Sequence, residues 1–177
     1  MTFDCAAQFT TDASAPDFLL QGVTLKLGEI GSGGGFTVGI HADNAGLPGT
    51  LLQTLSGPAD PSGGGEFAYT AAALSLASST SYWIVASASA PSGSYNWMVT
   101  QDFSHTGAWT ATATAQAQNG AWSLAGDWEV FQFSVAAVAV PEPAVTGLLI
   151  GMGALAPILI YRKGRRQKKG ATPDFGV

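Results

Sequence analysis

The chain reads as all-β, a single jelly-roll-like β-sandwich followed by one C-terminal transmembrane α-helix. Three observations carry this expectation. Apolar residues alternate with polar ones through the first 139 residues, clusters of Gly, Pro and Asn punctuate them at short intervals, and an uncharged apolar run near the C-terminus is closed by cations. The organisation that follows is a β-domain over residues 1–139, a short junction over 140–143, a membrane span over 144–161 and a basic cytoplasmic tail over 162–177.

The strand signals come in order. Val23, Leu25 and Leu27 alternate with Thr24 and Lys26, and Phe36, Val38 and Ile40 alternate with Thr37, Gly39 and His41. Each run has the period of a half-buried strand. Residues 51–55, 66–70, 82–87 and 96–100 are shorter candidates. From Trp109 to Ala117 threonines occupy one face and alanines the other, and Phe131, Phe133 and Val135 alternate with Gln132 and Ser134. Turns are expected at 31–35, at Asp43-Asn44-Ala45-Gly46, at Pro48-Gly49, at 58–65, at 91–93 and at Asn119-Gly120. Roughly eight strands with turns at this spacing indicate a sandwich. The segment is long enough for one domain with a core and too short for two.

Charge divides the chain. Six of its seven basic residues are Arg162, Lys163, Arg165, Arg166, Lys168 and Lys169, whereas residues 1–139 carry ten acids against Lys26 alone, a net charge of −9. Such a body repels phosphates, so no nucleic-acid partner is expected. The eighteen uncharged residues from Ala144 to Tyr161, as a helix rising ~1.5 Å per residue, would span roughly 27 Å, close to a hydrocarbon core of about 30 Å. Cations beside a span mark its cytoplasmic side, which puts the acidic body outside the cytoplasm. Gly147-x-x-x-Gly151 fits a helix-dimerisation face or ordinary small-residue usage in a span.

The junction reads Val140-Pro141-Glu142-Pro143. Two prolines fix φ near about −65° and remove two backbone donors, which holds the segment extended and unpaired, in a form a protease can bind. Glu142 adds one charge in an apolar neighbourhood. The motif, the single apolar helix and the Arg-rich cluster in this order resemble the PEP-CTERM sorting signal of Gram-negative bacteria. The resemblance covers roughly the last fifth of the chain. It implies recognition by exosortase, a membrane-embedded transpeptidase-like enzyme that cleaves near Pro141, Glu142 and Pro143, with Arg162, Arg165 and Arg166 in the stop cluster. It further implies an inner-membrane stage, then delivery to the cell surface or extracellular matrix, in association with envelope or exopolysaccharide.

Members of that family enter the secretory pathway through a leader, yet Met1-Thr2-Phe3-Asp4-Cys5 has neither a basic start nor an apolar core. A start placed too late, with the leader encoded upstream, is expected here; a tail-anchored variant is the competing reading. Within the body, Gln8-Phe9-Thr10-Thr11, Val23-Thr24-Leu25-Lys26-Leu27, Asp43-Asn44-Ala45-Gly46-Leu47-Pro48-Gly49 and Ser81-Tyr82-Trp83-Ile84-Val85 resemble the choice-of-anchor surface domains of bacteria. That resemblance implies export and anchoring.

Chemistry-bearing patterns are sparse, and a non-enzymatic protein without cofactor or metal is expected. His41 falls on the polar face of its strand and His105 in a polar stretch, neither with metal-ligand spacing. No Gly-x-Ser-x-Gly elbow occurs. Cys5 is the only cysteine, so no internal disulfide can form. Asp43, Asp60, Glu66, Asp102, Asp127 and Glu129 read as solvated acids near turns, and an Asx turn accounts for Asp43-Asn44 without calcium. Tyr95, Trp97, Trp109 and Trp122 are the aromatics that could stack sugar rings, with Trp128 beside them; packing is the expected role for most of the tryptophans. The alternative function is therefore an extracellular carbohydrate-binding module, or a glycan hydrolase, with the same sorting tail.

Overall fold

The computed structural model describes residues 3–28, 35–88, 95–101, 107, 109–118, 120–126 and 130–141. These are all-β: β1 (Phe3–Thr10), β2 (Asp17–Leu27), β3 (Phe36–Asn44), β4 (Leu47–Thr54), β5 (Gly65–Ala77), β6 (Ser81–Ala88), β7 (Val99–Thr100), β8 (Thr110–Gln118), β9 (Ala121–Leu124), β10 (Val130–Phe131) and β11 (Phe133–Val140). Met1–Pro141 forms one compact unit, and the second unit, Glu142–Val177, lies outside the described residues. Among the described residues no helix is long and apolar enough to cross a membrane. The span expected over 144–161 falls outside them.

The strands form two curled antiparallel sheets and a small ribbon. One sheet has the order β4-β3-β6-β1-β8-β9, the other β11-β2-β5, and β10 pairs with β7. Phe9, Phe36, Val38, Ile40, Ile84 and Ala86 from the larger sheet meet Phe18, Leu20, Val23, Leu25 and Tyr69 from the smaller one in a single buried cluster. This is the main core. The larger sheet also curls until its two edges, β4 and β9, touch. On its other face, that curl encloses a second small cluster of Ala6, Trp83, Val85 and Ala115, flanked by Leu47, Ala113 and Trp122.

Burial on both faces explains why β1 carries no alternating signal. Ala6, Ala7 and Phe9 are buried in succession with Gln8 between them, because β1 lies between β6 and β8 with a cluster above and below. The turn expected across Asp43 to Gly46 narrows to Ala45 and Gly46, at φ 53° and 82°, the two positive values of a type I′ hairpin. Pro48-Gly49 is not a turn. It lies inside β4, where an edge position tolerates a residue without a donor. The threonine and alanine faces of β8 are also interrupted, since Thr112 is passed over where Gln8 pairs with Ala113 and Phe9 with Ala111.

A second irregularity crosses the whole smaller sheet. Against β11, Gly22 pairs with Ala136 and Leu20 with Ala137; against β5, Gly22 pairs with Thr70 and Leu20 with Leu74. Gln21 is therefore surplus against β11, as in a β-bulge, whereas against β5 the extra length lies on β5, where Ala71, Ala72 and Ala73 stand opposite Gln21. The inward positions shift with it, from Phe18 and Leu20 to Val23, Leu25 and Leu27. On β5 the level is marked by Ala73 at φ 50°, and the side-chain amide of Gln53 donates to Ala72 O at 2.6 Å while its oxygen accepts from Ala72 N at 3.2 Å. Gln53 replaces the missing ladder partner from the edge of the other sheet. Below it, Ser56 and Thr70 exchange backbone bonds of 2.9 and 2.8 Å, so the two sheets are stitched along β4 and β5.

Candidate functional site

The junction can be followed up to its second residue. β11 pairs with β2 through Val140, whose partner is Asp17, and Pro141 follows immediately. Val140 is thus part of the sheet, where the proline argument places it in an unpaired segment. The reason is that Val140 still has its own N–H, and the donor is first lost at Pro141. Phe133, Val135 and Ala137 pack on the core, whereas Val138 is 58% and Val140 38% exposed. β11 is an edge strand without a charge. Glu142, Pro143 and the cluster Arg162, Lys163, Arg165, Arg166, Lys168 and Lys169 lie outside the described residues, as do His105, Asp102, Asp127, Trp128 and Glu129.

The aromatic set divides by burial. Trp97 is 3% exposed, stacked on Phe131 at 4.7 Å, edge-on to Phe133, with its Nε1–H donating to Gln132 O at 2.8 Å. A ring so placed fastens the β7–β10 ribbon to β11 and offers no face to a sugar. Tyr95 is half-buried, and its hydroxyl accepts from Cys5 N at 2.8 Å and donates to Ala86 O. Cys5 and Ala86 are a register pair of β1 and β6, so this hydroxyl bridges two central strands. Burial pushes the Tyr95 phenol far up, and it also pushes the Cys5 thiol up, against the opposing hydrogen bond from Tyr95. Both therefore act as neutral packing groups, and neither is a reactive nucleophile.

Trp109 is partly exposed but stacked on Phe9 at 5.6 Å and edge-on to Phe18 at 5.1 Å. Trp122 stands apart. It is the member of the set that packs against the small cluster inside the curl of the larger sheet, and it keeps part of its surface open. Of the four, Trp97 is buried in the core, Tyr95 bridges two central strands, Trp109 packs on the main core, and Trp122 retains a partly open flank.

Sequence reasoning missed a polar hub at the end of β3. Asp43 Oδ1 accepts from Trp83 Nε1 at 2.8 Å and from Gln8 Nε2 at 2.7 Å, and Oδ2 accepts from Gly46 N at 3.1 Å. The Thr112 hydroxyl donates to the Gln8 oxygen. Asp43 thus closes the hairpin turn and satisfies the indole of the fully buried Trp83. The slight desolvation of this exposed carboxyl alone would raise it, but the bonds from Trp83, Gly46 and Gln8 hold it below the usual carboxylate range. Only the contact from Gly46, three residues on, is local enough to be read from sequence. His41 is nearby in the chain, with Nδ1 2.9 Å from Gly49 O. Among the described residues no three His, Cys, Asp or Glu side chains gather as metal ligands would. Comparisons with protein families, curated proteins and solved structures find no match to this chain.

Proposed function

We propose that the chain is a non-enzymatic exported protein of the surface or extracellular matrix of a Gram-negative bacterium, delivered by a C-terminal PEP-CTERM-like signal that exosortase recognises and cuts. In this reading the body is a jelly-roll-like sandwich outside the cytoplasm. The span over 144–161 holds it in the inner membrane during transit, and the cut body associates with envelope or exopolysaccharide. The observation that carries the proposal is the position of the junction: the last strand of the folded unit ends at Val140, and the prolines, the apolar run and the cations follow with no further linker. Every described strand of the body ends at or before Val140. Tagging both ends and fractionating cells tests this. Separation of the tags, with the N-terminal one released and the C-terminal one in the membrane, is the expected result; one uncut membrane band overturns the processing.

The carbohydrate-binding alternative now rests on Trp122, which has an open flank and sits over a cluster separate from the main core. Retention of the body on polysaccharide, lost in Trp122→Ala while the fold persists, would favour it. No retention on any polysaccharide would leave the surface-protein reading.

A further inference from the structure

We infer that residues 137–140, the C-terminal half of β11, are a detachable arm that peels from β2 to present the junction to its processing enzyme. Its purpose rests on the processing reading above; its mechanics rest on the sheet. The surplus Gln21 breaks the β11–β2 ladder between Ala136 and Ala137, so the strand is held as two short ladders. The first, residues 133–136, carries the core contacts of Phe133 and Val135. The second keeps one small anchor, Ala137, before Val138, Ala139 and Val140, all exposed. Burial therefore holds the first half, and backbone bonds along one side hold the second. Elements with few buried apolar contacts and solvent-facing hydrogen bonds open at the low end of the stability range.

Release of the arm leaves the body intact. Along Asp17 to Leu20, β2 keeps β5 on its other side, paired from Ala77 to Leu74, and Phe18 and Leu20 stay anchored in the core. Proline at 141 supplies no donor to extend the ladder. A freed segment of residues 137–141, extended at about 3.3 Å per residue, would move the motif about 16 Å from the sheet. An enzyme cleft that binds extended chain on both sides of its cut needs such reach, and a motif starting at the last ladder pair does not otherwise have it.

Two measurements test the arm. Amide exchange on the full chain in detergent should be about tenfold or more faster at residues 137–140 than at 133–135; equal protection along β11 overturns the inference. The second pins the arm with Leu19→Cys and Val138→Cys in a Cys5→Ala background. Directly opposed residues of an antiparallel pair have Cα atoms about 4.5–5.5 Å apart, within disulfide range. In the producing cells the pinned chain should be cut about tenfold less than either single-cysteine control, and undiminished cutting of the disulfide-bonded form overturns the inference. Controls that also stay uncut count against the processing reading, and the exchange pattern then decides the arm alone.

Discussion

At the residue scale, the side chains that matter most are those that satisfy polar groups inside a β-fold with little charge. Asp43 is one. Asp43→Ala leaves the buried Trp83 N–H and the Gln8 amide without their acceptor, and should destabilise by about 1–3 kcal/mol in urea unfolding. The same contact makes stability pH-dependent. The folded carboxyl lies below its ordinary value of 3.8, so its contribution is complete above that value and is lost as pH falls through the lower, folded one. Asp43→Asn should flatten that acid limb. Tyr69 acts at the other end. It is 2% exposed, its hydroxyl donates to Pro58 O at 3.2 Å, and burial pushes its phenol from 10.0 up to about 12. Its contribution is complete below pH 10 and is lost as pH rises through the folded value. Tyr69→Phe should remove that part of the alkaline fall, measured as thermal midpoint against pH. Trp97→Ala, by contrast, empties a core position and should cost about 3–5 kcal/mol; any ligand binding it abolished would report unfolding.

At the element scale, the bulge across β2 is the feature whose disruption should be most specific. A Cβ on Gly22 would lie 2.4 Å from Tyr69 O and 3.2 Å from Thr70 Cα. Both are backbone atoms of the paired strand and cannot turn aside. Gly22→Ala should therefore force β2 and β5 apart and destabilise by about 1–3 kcal/mol, with faster amide exchange at residues 69–74 as the local sign. This bulge also governs what could be read from the chain. The alternation at Val23, Leu25 and Leu27 reveals the second half of β2, but the surplus Gln21 puts Phe18 and Leu20 out of phase, so the first half carries no continuous pattern. β1 is hidden by burial on both faces. β11 was visible only to Val135, because its last residues are small, exposed and followed by proline. For the site the limit is contact distance along the chain. Asp43 to Gly46 is a local turn, but Trp83 and Gln8 lie 40 and 35 residues from Asp43, and no spacing rule connects them. Likewise five tryptophans signal large rings, while which face each takes depends on strands paired far away.

At the scale of the whole molecule, the acidic folded unit closes at Pro141, and this makes the consequence of cutting calculable. Loss of everything after Pro141 removes no described strand and no described core residue, so a chain ending there should fold and melt cooperatively. A chain ending at Ala136 loses the weakly anchored half of β11. Of the residues removed, Ala137 alone packs on the core, and the expected cost is about 1–2 kcal/mol, set by one small side chain and a few edge bonds. A chain ending at Gln132 also loses Phe133 and Val135, which uncovers Val23 and Leu25 on β2 and removes the edge partner of Trp97; it should lose about 3–5 kcal/mol more and expose apolar surface. Urea midpoints of the three truncations measure this directly. Equal steps from 141 to 136 and from 136 to 132 would mean that β11 is held uniformly along its length. A small step followed by a large one would place the stability of the final strand in its first half, leaving its end free to serve the junction.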